Sequence, residues 1–118
     1  MVQREEMEQT TLFSWATWQE QLYPDLKWMY HVPNGGHRNK ATAARLKAAG
    51  VKAGVPDVVL PAPKGIYHGL YIEMKCDKNK PTKKQKEWLA YLKSVGYQTA
   101  VCYSYEEAVD VILAYLKQ

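Results

Sequence analysis

Two short apolar runs joined by a compact turn constrain this chain more than any other stretch. Val58-Val59-Leu60 leads into Pro61-Ala62-Pro63-Lys64-Gly65, and Tyr67 to Met74 follows with Leu70 and Ile72 on one face. Proline and glycine close a turn, and period-two alternation makes a half-buried strand. The reading is a β-hairpin. Antiparallel pairing brings the start of its first arm beside the end of its second. Those two ends carry Pro56-Asp57 and Glu73-Met74-Lys75, with Glu73 sixteen residues after Asp57. The hairpin therefore gathers two carboxylates and a lysine.

The rest of the chain frames the hairpin. Residues 4–22 predict a helix, because Leu12, Trp15, Ala16, Gln19 and Leu22 recur at helical spacing. Glu5, Glu8 and Gln9 extend that stripe toward the N-terminus. An acid there either frays into solvent or faces a cation, since an unpaired buried charge is costly. Tyr23-Pro24-Asp25 breaks the helix, and 27–32 reads as a strand. Pro33-Asn34-Gly35-Gly36 is a turn, and 40–49 is a short basic helix closed by Gly50. Pro81 and the capping box Thr82-x-x-Gln85 open a helix through Ser94. A strand at 97–103 and a last helix capped by Ser104 complete the order α-β-α-β-β-α-β-α. Repeats, low-complexity tracts and linkers are absent. The 118 residues are read as one α/β domain, 1–118.

The hairpin residues point to a chemistry. Glu73 and Lys75 leave the same face of a strand, and Met74 points into the core. Asp57, Glu73 and the Met74 carbonyl are hard oxygen donors suited to Mg²⁺ or Mn²⁺. Such an ion beside a phosphodiester polarises the phosphate and lowers the pKa of a bound water. Lys75 either hydrogen-bonds the attacking water, stabilises developing charge, or acts as a base with a lowered pKa. Alone, an E-x-K pair is most often a solvated ion pair worth little. The hairpin and the lysines behind it shift the balance toward a nuclease.

Lys75, Lys78, Lys80, Lys83, Lys84 and Lys86 crowd the start of the third helix. Cations there oppose the helix dipole unless an anion binds. A phosphate backbone answers both the lysines and the free amides of the first turn. Arg38, Lys40, Arg45, Lys47 and Lys52 form a second basic group. The net charge of +4 agrees with a polyanionic partner without requiring one.

Other chemistries find no support. His31, His37, His68, Cys76 and Cys102 lack zinc-ligand spacing. Phosphate-binding glycine loops are missing, and Ser104 is a helix cap rather than a nucleophile. The two distant cysteines read as reduced thiols. A polar N-terminus and the lack of a long apolar run argue against a signal peptide or membrane span. The expected location is the cytoplasm of a bacterial or phage-infected cell.

Several runs together resemble the VRR-NUC domain, the virus-type replication-repair nuclease branch of the PD-(D/E)XK superfamily. They are His31-Val32-Pro33-Asn34-Gly35-Gly36, Ala43-Ala44-Arg45-Leu46-Lys47, Gly50-Val51-Lys52-Ala53-Gly54-Val55-Pro56-Asp57, Gly69-Leu70-Tyr71-Ile72-Glu73-Met74-Lys75 and Gln85-Lys86-Glu87-Trp88. The resemblance covers nearly the whole chain. It implies a restriction-endonuclease-like core, a mixed sheet flanked by helices, and a Mg²⁺- or Mn²⁺-dependent site. It also implies catalytic roles for Asp57, Glu73 and Lys75. A first-helix glutamate completes the metal set; Glu5 matches best and Glu8 is the alternative. Gln85 matches a glutamine after the catalytic strand, a role that competes with its capping box. Asn34, Arg38, Lys40, Arg45, Lys78, Lys80, Lys83 and Lys84 form the expected DNA-binding set. Stand-alone members imply homodimers that cut branched DNA such as four-way junctions. The fourteen aromatic residues also leave apolar surface for a second copy. The alternatives are a flap-acting, end-acting or RNA nuclease, and a DNA-binding module without catalysis.

Overall fold

The chain alternates helix-periodic and strand-periodic segments, and the computed structural model shows where each settles. It describes residues 4–33 and 39–118. Helix α1 spans Arg4–Gln19, and a 3-10 helix occupies Pro24–Trp28. Strand β1 is Tyr30–His31, α2 is Lys40–Ala48, β2 is Val58–Leu60 and β3 is Leu70–Met74. Helix α3 is Lys83–Ser94, β4 is Gln98–Cys102 and α4 is Tyr105–Leu116.

The four strands form one mixed sheet in the order β1-β2-β3-β4. β1 and β2 are antiparallel, as are β2 and β3, with Val58 opposite Ile72 and Leu60 opposite Leu70. β4 runs parallel to β3, placing Met74 opposite Cys102, and α3 makes the crossover between them. Parallel pairing aligns the C-terminal ends of β3 and β4, and antiparallel pairing adds the start of β2 to that end. This is the α-β-α-β-β-α-β-α order and mixed α/β sheet expected from the sequence.

Alternation along β3 divides its side chains between two environments. Leu70, Ile72 and Met74 join a core with Leu12 and Ala16 of α1 and Ala108, Ile112 and Tyr115 of α4. Removing these groups from water is the main stabilising term, at about 25 cal/mol per Å² of apolar surface. Helix α3 takes no part in that cluster and buries Leu92 separately. Tyr71, Glu73 and Lys75 leave the strand on the face opposite that core.

Three boundaries differ by more than one residue from the sequence reading. The second hairpin arm pairs as a strand only from Leu70, while Tyr67 makes an isolated bridge to Lys64. The first helix stops at Gln19, and Leu22 is largely exposed. The stretch read as a strand from 27 begins as the 3-10 helix, and only Tyr30–His31 pairs with β2. Pro24 favours a helical first turn because it has no amide proton to satisfy. Leu26 and Met29, three apart, are both buried there, at the repeat of a 3-10 helix.

Candidate active site

Asp57 stands just before β2, and three contacts hold it. Its backbone carbonyl accepts from the Val32 amide at 2.8 Å and lies 2.9 Å from His31 Nδ1. Its side-chain Oδ2 accepts from the Met74 amide at 2.8 Å, across the hairpin. The incoming loop is fixed from the other side. Gly54 adopts φ +87°, and a Cβ there would stand 2.8 Å from the backbone carbon of Lys84. The Trp88 indole donates to the Ala53 carbonyl at 3.1 Å. The first turns of α3 therefore press directly on the loop that delivers Asp57.

Glu73 is the one buried charged residue among those described, at 1% exposure. Its Oε1 has no hydrogen-bond partner, and Lys75 Nζ lies 4.0 Å from Oε2. Burial pushes the Glu73 carboxyl up to about 9, with Asp57 adding to the rise and Lys75 opposing it. Glu73 is removed from water beside a second carboxylate, and the single lysine does not offset both effects on it. The solvated E-x-K pair is therefore not what the fold builds; the Lys75 side chain is itself only 12% exposed.

The N-terminus of α1 completes this end of the sheet. Arg4 pairs with Asp77, just beyond β3. Burial raises the Glu5 carboxyl, Lys75 draws it down, Asp57 raises it, and the Cys76 thiol lowers it. Glu5 thus shares the electrostatic neighbourhood of Asp57, Glu73 and Lys75. Glu8 does something else: its Oε1 accepts from the Tyr105 amide at 2.9 Å, at the first turn of α4. The sequence leaves Glu5 and Glu8 as competitors, whereas the fold gives them separate surroundings.

The remaining candidates divide by position. Gln85 closes the capping box: its Oε1 accepts from the Thr82 amide at 2.8 Å, and its own amide donates to Thr82 Oγ1 at 3.2 Å. Lys78 and Lys80 are exposed after β3, and Lys83 and Lys84 are exposed on the first turn of α3. Lys40 and Arg45 are exposed on α2. Asn34 and Arg38 lie outside the described residues. Sequence reasoning missed the His31 contact with Asp57 and the Glu8 cap; the antiparallel β1-β2 pairing was the available signal for the first.

The site can be tested against a cation by its donors. Among the described residues, no group of three or more His, Cys, Asp or Glu side chains stands ready to hold a metal. Asp57, Glu73 and the Met74 carbonyl nevertheless supply hard oxygens, and Glu73 Oε1 is buried without a partner. A hard divalent ion relieves both the repulsion and the orphaned oxygen. The residues fit such an ion, with water completing its shell.

The family profile of the VRR-NUC domain matches residues 3–106. The chain belongs to the VRR-NUC family. A solved structure described as a "VRR_NUC domain protein" is 33% identical, covers 99% of this chain and 91% of its own, and superposes with a TM-score of 0.82. Among curated proteins, none matches. VRR-NUC membership makes this a nuclease fold of the PD-(D/E)XK type. Among the described residues, no helix is long and apolar enough to cross a membrane.

Proposed function

We propose that this VRR-NUC chain is a metal-dependent endodeoxyribonuclease that acts as a homodimer on branched DNA, such as four-way junctions. The observation that carries the reading is Glu73: a buried carboxylate with an orphaned oxygen, set beside Asp57 and Lys75. Asp57, Glu73 and the Met74 carbonyl hold Mg²⁺ or Mn²⁺, with Glu5 completing the set. The bound ion supplies Lewis acidity and an acidified water.

The chain's own groups do the rest. The Met74 amide fixes the Asp57 side chain, so that carboxylate meets its ligand already oriented. Lys75, held near Glu73, places its positive charge where the phosphate gains negative charge. Lys78, Lys80, Lys83 and Lys84 hold the flanking phosphates, with Lys40 and Arg45 on the α2 side. Those contacts set position rather than sequence preference. Gln85 orients the start of α3, which presses on the Asp57 loop.

The test is cleavage of junction, flap, splayed and linear DNA, and of RNA, with Mg²⁺, Mn²⁺ or EDTA. The expected result is cutting of branched DNA with either ion, none in EDTA, and loss of about a hundredfold or more in Asp57→Asn and Lys75→Ala. A pure protein that cuts nothing with either ion sinks the enzymatic reading. Full activity in Lys75→Ala or Asp57→Asn sinks the site. Sedimentation showing only a 13.6 kDa species sinks the dimer.

A further inference from the structure

Beside the catalytic end of the sheet, α2 stands off from the body of the protein. It buries no residue, although Leu46 turns inward. Between α2, the loop from Val51 and α3 lies an open cavity of about 830 Å³. Leu46, Val51, Trp88 and Tyr91 give it an apolar wall. Lys47, Lys52 and Lys84 line the same space, against a single acid, Glu87. Its size falls in the range of about 300–1,000 Å³ that takes a small organic group.

Two features make the wall more than unused surface. The Trp88 indole is held by its bond to the Ala53 carbonyl, which restrains the ring. Tyr91, one turn further along α3, is 60% exposed and meets solvent at the mouth. Flat aromatic faces interleaved with lysines suit unstacked bases on a phosphate chain. The charge argues against a second copy here. A two-fold contact would bring the same three lysines from both sides, with only Glu87 from each to offset them. A polyanion satisfies them.

We infer that the α2-α3 groove binds an unpaired nucleotide of the substrate, its base against Trp88 and Tyr91 and its phosphates toward Lys47, Lys52 and Lys84. This rests on the nuclease reading and adds to it a preference, among branched substrates, for those whose arms carry unpaired nucleotides. The loop that lines the groove also delivers Asp57. Ala53 is four residues from Asp57, about 14 Å of chain at full extension. A nucleotide held here sets which phosphodiester reaches Glu73.

The test is binding in EDTA, where no cleavage is expected. The full chain is titrated with a duplex bearing a single-stranded arm, 2-aminopurine at its first unpaired position, and with a blunt duplex of equal length. The parent should quench the 2-aminopurine. Tyr91→Ala should weaken the armed duplex about tenfold, lessen the quench and leave blunt-duplex binding unchanged. Tyr91→Trp should restore both. Equal loss on both duplexes, no loss, or no quench by the parent overturns the inference. So does sedimentation in which Tyr91→Ala turns a dimer into a monomer, since a second copy then owns the groove. A protein that cuts nothing can still pass this test. One that cuts normally while Tyr91→Ala binds like the parent sinks the groove alone.

Discussion

The buried Glu73 carboxyl should make the metal-free protein less stable as pH rises. The folded chain holds the Glu73 proton up to about 9, against an ordinary value of 4.5. Between those limits the folded state binds one proton that the unfolded state has lost. Stability therefore falls with rising pH, by about 1.4 kcal/mol per pH unit from this group. From about pH 5.5 to about pH 8 the loss is about 3 kcal/mol, or on the order of 10 °C in Tm for a chain of this size. Glu73→Gln keeps the volume and removes the titration. Thermal unfolding of both proteins in EDTA across that window should show the parent falling relative to the variant. Excess Mn²⁺ should reverse the trend in the parent, because the ion favours the ionised carboxylate. Parallel pH profiles for the two proteins in EDTA would refute the reasoning, since Glu73 would then titrate alike folded and unfolded.

Three further pairs of substitutions probe the residues around this site and the loop that leads to it. Glu8→Ala should cost about 1 kcal/mol by leaving the Tyr105 amide at the start of α4 without its acceptor and leave cleavage intact, whereas Glu5→Gln should lower cleavage and leave Tm unchanged; the reverse pattern exchanges their roles. His31→Ala should weaken Mn²⁺ binding about tenfold by calorimetry, while His31→Asn, which keeps a side-chain N–H near Nδ1, should restore it. Gly54→Ala should cost about 2 kcal/mol or more, because φ is +87° and Lys84 backbone blocks the new methyl. Gly50→Ala meets nothing within 4 Å and should cost only about 1 kcal/mol, which paired melts will distinguish.

The elements legible in the sequence are those whose signals are local. The hairpin follows from alternation and a proline-glycine turn, and the observed register carries Asp57 to the Met74 amide. The capping box at Thr82 forms as written, because both partners lie within one turn. Long-range events were harder to read. That Glu8 caps a helix ninety-seven residues away depends on how α1 packs on α4, which no local pattern encodes. The 3-10 helix at Pro24–Trp28 was hidden by aromatic residues that also favour strands. The E-x-K spacing gave a shared face but not its burial, which comes from the helices and neighbouring strands around Glu73.

Helix α1 gives Glu5 to one neighbourhood and Glu8 to another, three residues apart on nearly the same side. A single residue inserted between them would turn everything before it by about 100° and advance it by about 1.5 Å. The Tyr105 cap would survive, while Glu5 and Arg4 would swing away from the end of β3. The helix thus works as a ruler. Its packing against α4 sets where the ruler lies, and its pitch sets which carboxylate reaches the far end.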